Sequence, residues 1–226
     1  MREVAISLPF AQRWLVQNSP ARRVPSHGTD LLGGRYAVDF VAVDERGRTA
    51  GVRDWRSLLA TEPPERFVAF GLPVLASGGG TVVDVHDAEP DHEGRRSQLT
   101  LVPYALGQAA RLRKGVAAVA GNSVTIRLRD SGAFVALAHL QSGSVRASAG
   151  QDVEEGEQIG SCGNSGNSTQ PHVHLQVMDS ADLSVARGVP VVFRRFRERP
   201  AGAQRFRVRE LGVPGEGSVV EPLPAP

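Results

Sequence analysis

Gly163-Asn164-Ser165-Gly166-Asn167-Ser168-Thr169-Gln170-Pro171-His172-Val173-His174-Leu175-Gln176-Val177 joins a turn-rich loop to an alternating strand. Glycine, asparagine, serine and proline crowd the first nine positions, as they do where the backbone must turn. From Pro171 to Met178 apolar and polar residues alternate, the period of a half-buried strand. Residues i and i+2 of a strand share a face, so His172 and His174 point into one space. Neutral imidazole is a favoured zinc ligand, which suits the pair to a metal site. Taken alone, a chance His-x-His on a polar strand face is the simpler reading.

Working outward, the valine-rich runs between glycines and prolines read as further strands. They are Arg35 to Val43, Gly71 to Ala76, Gly78 to Val85, Asn122 to Leu128, Phe134 to Leu140, Gln158 to Ile159 and Val189 to Phe196. The second and third of these are expected to form strand, tight turn and strand. Asp44 to Phe70 and Ala88 to Lys114 are irregular, with short helices expected at Asp54 to Ala60 and near Tyr104 to Arg113. Gly212 to Pro226, rich in Gly, Pro and Glu, is expected to be a loose tail. The fold class is therefore mainly β: a single antiparallel sheet or sandwich-like domain over residues 25–200 with loop insertions at 44–70 and 86–116. Residues 1–24 form an N-terminal segment packed on it, and 201–226 a C-terminal extension and tail.

Composition excludes several classes. At 226 residues and 41% hydrophobic, with a mean hydropathy of −0.19, the chain is long and apolar enough to bury a core. Its net charge is only +2. The densest basic run, Arg194, Arg195, Arg197 and Arg199 around Phe193 and Phe196, reads as a solvated strand face, so no nucleic acid is expected as a partner. Cys162 is the only cysteine, which rules out an intrachain disulfide; it reads as a small buried filler. No run reaches the length of a transmembrane helix, so no integral membrane segment is expected. The N-terminus lacks the pattern of a signal peptide. The chain as written is expected in the cytoplasm, and outside it if exported by another route or if the start is truncated.

Three more residues bear on the chemistry. His139 sits at the end of the apolar run Val135-Ala136-Leu137-Ala138-His139-Leu140, where a buried imidazole needs a partner. Asp39 is a carboxylate inside the apolar strand Tyr36-Ala37-Val38-Asp39-Phe40, costly unless paired or bound to a metal. His27, in a Gly-rich turn, could fold back onto it. Asp30 is the rival carboxylate in more loop-like surroundings. His86 and His92 lie in or beside a charged insertion and read as solvated loop.

In order along the chain stand His27 and Asp39, Gly71 to Ala76, Gly121-Asn122-Ser123-Val124, His139-Leu140, Gly156 to Gly160, and Gly163 to His174. This ordered set resembles the M23 (LytM-type, lysostaphin-like) family of zinc metallopeptidases, from about Pro25 to Phe193. The resemblance implies that His27, Asp39 and His174 bind Zn2+ and that His139 and His172 are catalytic histidines outside the ligand set. It implies a zinc-dependent metalloendopeptidase using metal-activated water and histidine acid/base catalysis. Its partner would be a peptide, a stem or cross-link of bacterial peptidoglycan. The alternative is a catalytically silent relative that binds peptide or activates another cell-wall hydrolase. One departure stands out: the family places three residues between its first histidine and aspartate, and here eleven separate His27 from Asp39.

Overall fold

The computed structural model describes residues 3–107, 113 and 115–223. One long sheet dominates it. Its first half runs β1 (Val4–Ile6), β11 (Val191–Arg199), β13 (Val219–Pro222), β2 (Trp14–Gln17) and β3 (Val38–Ala42). It continues through β10 (Val173–Met178), β7 (Phe134–Leu140), β6 (Asn122–Leu128), β5 (Gly80–His86) and β8 (Asp152–Val153). β12 (Arg207–Gly212) pairs beside β11, and β4 (Pro73–Leu75) with β9 (Gln158–Ser161) makes a separate two-stranded ribbon. The ladders are antiparallel except where β1 runs parallel to β11, Val4 opposite Val191.

The core joins one face of the sheet to that ribbon: Val82, Leu137 and Leu140 share a cluster with Val74 and Ile159. At the other end of the same cluster, Phe10 stacks on Trp14 with ring centroids 4.6 Å apart, and Phe40 meets Phe10 and Phe193 edge-on at 5.0 and 5.5 Å. Such aromatic pairs contribute roughly 0.5–1.5 kcal/mol beyond the area they bury. Cys162 is fully buried in this cluster, and burial pushes its thiol pKa up, the behaviour of an inert filler.

The insertions fold against each other. α1 (Trp55–Leu59), within the expected Asp54 to Ala60, begins where Asp54 accepts from the backbone N–H groups of Arg56 and Ser57 in a capping box. α2 spans Gln98–Leu106, earlier than the expected Tyr104 to Arg113; residues 108–112 lie outside those described. The fully buried Glu62 takes a two-pronged ion pair from Arg96, at 2.6 and 2.7 Å, that ties one insertion to the other. A third short helix, α3 (Val116–Ala120), was not foreseen. It ends at Gly121, whose φ of +65° and close approach to Ser165 (a Cβ there would lie 2.5 Å from the hydroxyl) leave room only for glycine.

Two expectations are overturned. β4 and β5 do not form a hairpin: Pro73 lies opposite Ser161 and Gly80 opposite Leu128. The stretch expected as a loose tail carries β13, which fills the gap between β11 and β2 with Val220 fully buried. The two valines bury enough apolar surface to outweigh the turn-forming composition around them.

Candidate metal centre

Strand register brings the site together. On β10, His174 lies opposite Asp39 of β3 on one side and Ala138 of β7 on the other. Val38 and Phe40 point into the core, so Asp39 between them faces the opposite side of the sheet, as alternation requires.

His139 should not be there by the same rule. Val135 and Leu137 belong to the core, and a regular strand would send His139 after them. Instead β7 carries a bulge: two residues, Ala138 and His139, stand where β6 offers only Ser123. His139 takes a left-handed φ of 61°, and the next core residue is Leu140, three positions after Leu137. The bulge rolls the imidazole onto the face of His172 and His174. A left-handed non-glycine residue costs roughly 1–3 kcal/mol, strain of a kind found at functional sites.

The five side chains then meet. His27 Nε2 lies 3.0 Å from Asp39 Oδ2, and His174 Nδ1 lies 2.9 Å from Asp39 Oδ1. His172 Nε2 stands 3.7 Å from Oδ1, and the rings of His139 and His172 are 4.6 Å apart. His27, Asp39 and His174 each offer one ligand atom, all within 4.8 Å of one another, so the trio could hold a metal ion. Asp30 does not join them; it is exposed and paired with Arg35 at 2.8 Å.

What each ring does with its outward nitrogen decides what faces inward. His139 Nδ1 donates to the Ser165 carbonyl at 2.9 Å, and His172 Nδ1 to the Gln170 carbonyl at 2.8 Å. The Ser26 hydroxyl donates to the Gly34 carbonyl and so accepts from His27 Nδ1, 3.0 Å away. Gln176 Oε1 accepts from His174 Nε2 at 3.1 Å. Each outward nitrogen thus has an acceptor for a proton, and each inward nitrogen can turn a lone pair to a metal. Two of those inward nitrogens, on His27 and His174, abut the Asp39 carboxylate, to which each donates when it carries a proton instead. Such a contact calls for a positive charge, and two imidazoles with one carboxylate match the donors of open catalytic zinc sites.

The electrostatics agree. Burial pushes the Asp39 carboxyl up, but the charges of His172 and His27 and hydrogen bonds from His174 and His27 hold it well below the usual carboxylate range. Burial drives the His139 pKa well below its ordinary 6.5, with His172 and His174 adding to the effect. Burial also lowers His172, against the pull of Asp39. For His174 burial is outweighed by the hydrogen bond and charge of Asp39, and its pKa rises.

For the metal-free protein these shifts have a signed consequence. His139 and His172 are depressed, so the unfolded chain binds more protons as pH falls below 6.5, and their share of stability is lost there. The raised His174 keeps its share below 6.5 and loses it only as pH climbs through its folded pKa. The urea midpoint of the apo-protein is therefore expected to drop between pH 6.5 and about 5. A midpoint that stays level or rises over that interval would contradict the assignment.

Several supporting residues carried no recognisable spacing. Asn18 donates to Asp39 Oδ2 at 2.8 Å. Asp91 accepts from the backbone N–H groups of Asn164 and Ser142, at 2.6 and 2.9 Å. His92, read from sequence as solvated loop, is half-buried and lies 2.9 Å from the Gly166 carbonyl, while Asn164 donates to the His92 carbonyl at 2.7 Å. The insertion clamps the loop that holds His139, which is why its histidine leaves solvent. His86 ends β5 and lines the groove.

That groove, ≈ 670 Å³, runs past the five side chains between the loop after His27, contributing Leu31 and Leu32, and α3, contributing Val116 and Val119. Among the described residues, the 86–116 insertion touches the groove only at its ends, His86 and Val116, and 44–70 supplies none of its lining.

Fold and site define a mainly β protein with a histidine–carboxylate cluster able to hold a metal at the floor of a groove. A family model described as "Peptidase family M23" matches residues 66–187, more than half of the chain, and the chain belongs to that family. The matched segment contains His139, His172 and His174 and begins beyond His27 and Asp39; Asp39 reaches the cluster through the β3–β10 register, and His27 by its contact with Asp39. Similar solved structures include the catalytic domain of the M23 protein EnpA from Enterococcus faecalis, at 19% identity over 68% of this chain and 73% of that one, with a TM-score of 0.39. The catalytic domain of lysostaphin from Staphylococcus simulans is 19% identical over 79% and 88%, with a TM-score of 0.40. A zinc-containing peptidase from Vibrio cholerae is 19% identical over 83% of this chain and 39% of that one, at 0.39. No curated protein matches. Among the described residues no helix is long and apolar enough to cross a membrane.

Proposed function

We propose that this chain is a zinc-dependent metalloendopeptidase acting on peptidoglycan-type peptides, with His27, Asp39 and His174 as the metal ligands. The observation that carries the reading is the convergence of His27 and His174 on the Asp39 carboxylate, with one ligand atom of each of the three within 4.8 Å of the others. Bound zinc would supply a Lewis acid for the scissile carbonyl and lower the pKa of water to about 7.

The chain's own residues supply the rest. His139 and His172, kept neutral by burial, present Nε2 to the groove and are the proton acceptors. Whichever ring takes the proton becomes an imidazolium that can pass it to the departing amine. For His172, Asp39 at 3.7 Å stabilises that charge. The open groove suits an extended peptide laid across the floor, and family membership favours a glycine- or alanine-containing stem or cross-link.

Purified protein tests this directly. It is expected to take up one equivalent of zinc and to cleave a glycine-rich cross-link peptide, with a chelator stopping the reaction and added zinc restoring it. Folded protein that binds no zinc would overturn the proposal. Zinc uptake without cleavage of any cross-link or stem peptide would favour the silent, peptide-binding alternative.

A further inference from the structure

We infer that the lengthened loop between His27 and Asp39 positions His174 for metal binding, acting through the Leu32 carbonyl and the side-chain amide of Gln176. The inference rests on the proposed metal reading of the site.

Gln176 follows His174 by two residues on β10, on the same face, and is buried. An amide can offer either its oxygen or its NH2 to a neighbouring ring, and the two choices have opposite results. With oxygen toward the ring, His174 carries a proton on Nε2 and leaves Nδ1 to give its lone pair to a metal beside Asp39. With NH2 toward the ring, the proton moves to Nδ1 and the lone pair faces away from the cluster.

The loop decides between them. Gln176 Nε2 donates to the Leu32 carbonyl at 2.7 Å, and its contact with the Met178 sulfur at 2.8 Å lies on the same side. Oε1 is left toward His174. Leu32 reaches that position only in a left-handed conformation, φ 57° and ψ 25°, followed by Gly33 at φ 75°. Gly33 packs so closely that a Cβ would lie 2.7 Å from Met178 Cγ. A leucine held in this conformation costs roughly 1–3 kcal/mol, so the surroundings must impose it. The eleven-residue interval thus makes room for a strut that a three-residue interval could not contain.

Gln176 is therefore a positioning residue, and the test reads the metal rather than turnover. Zinc affinity would be measured by competition with a chromophoric chelator on the full chain, and the His174 tautomer by long-range 15N–1H spectra of the metal-free and zinc-loaded forms. Gln176→Leu is expected to weaken zinc by about 10–100-fold, the range for losing the outer partner of a ligating histidine, and to lose the Nε2–H tautomer. Gln176→Glu retains an acceptor and is expected to keep both.

Leu32→Val separates positioning from general loosening, because a β-branched residue resists the left-handed region. It is expected to weaken zinc in the Gln176 background and to have little effect with Gln176→Glu, whose two oxygens have no wrong orientation. Equal weakening in both backgrounds, or wild-type affinity and tautomer in Gln176→Leu, would overturn the inference while leaving the metal reading intact. A wild-type protein that binds no zinc overturns both.

Discussion

His174→Ala is expected to abolish zinc binding and, with it, peptide cleavage. His174 is central in the cluster: it lies opposite Asp39 in the strand register and offers Nδ1 to that carboxylate at 2.9 Å. Alanine removes one of the three proposed ligands, so the loss should exceed the roughly 10–100-fold expected from disturbing an outer partner. The fold should survive, because Asp39 keeps hydrogen bonds to Asn18 and His27. Metal content after dialysis, read beside a circular dichroism spectrum, checks both halves. One equivalent of zinc retained by the variant would remove His174 from the ligand set.

His139→Asn should do the opposite, keeping zinc and losing turnover. His139 makes no hydrogen bond to Asp39; its outer nitrogen is held by Ser165 and its inner one faces the groove. A positioned acid or base is worth about 10²–10⁴-fold in rate, and kcat/KM is expected to fall by that much. Asparagine is the better replacement than alanine because it tolerates the left-handed backbone of the bulge. Activity within a few-fold of wild type would rule out His139 as the proton carrier. Loss of zinc would instead move His139 into the ligand set.

Much of this arrangement can be read from the chain, for reasons that differ by element. β6 and β7 are legible at both ends because a seven-residue alternating run and a seven-residue apolar run, each bounded by turns, fit little else. The β4–β9 ribbon is not, since Pro73 and Ser161 are distant in sequence and nothing local announces their pairing. β13 hides behind composition, its two valines surrounded by glycine, proline and glutamate. At the site, the three histidines on or beside β7 and β10 are visible by spacing, and strand context ranks Asp39 above Asp30. The face His139 occupies is not legible, because a bulge inverts parity without leaving a mark in the residue pattern. Asn18, Asp91, His92 and Gln176 escape for a simpler reason: they are polar residues with no motif, and only the folded chain shows whose lone pair or proton they serve.

The placement of β13 also bears on how the protein comes to be made. β1 and β2 precede the rest of the sheet along the chain, yet β1 pairs with residues 191–193 and β2 with residues 219–220. On the ribosome the N-terminal strands therefore wait, unpaired on that side, while some 200 residues follow. Until Val219–Pro222 emerges, β11 and β2 each present an open ladder to other chains. A sheet keyed by a strand so far along the chain closes at the slow pace of distant pairings, and is most exposed to aggregation just before it is whole.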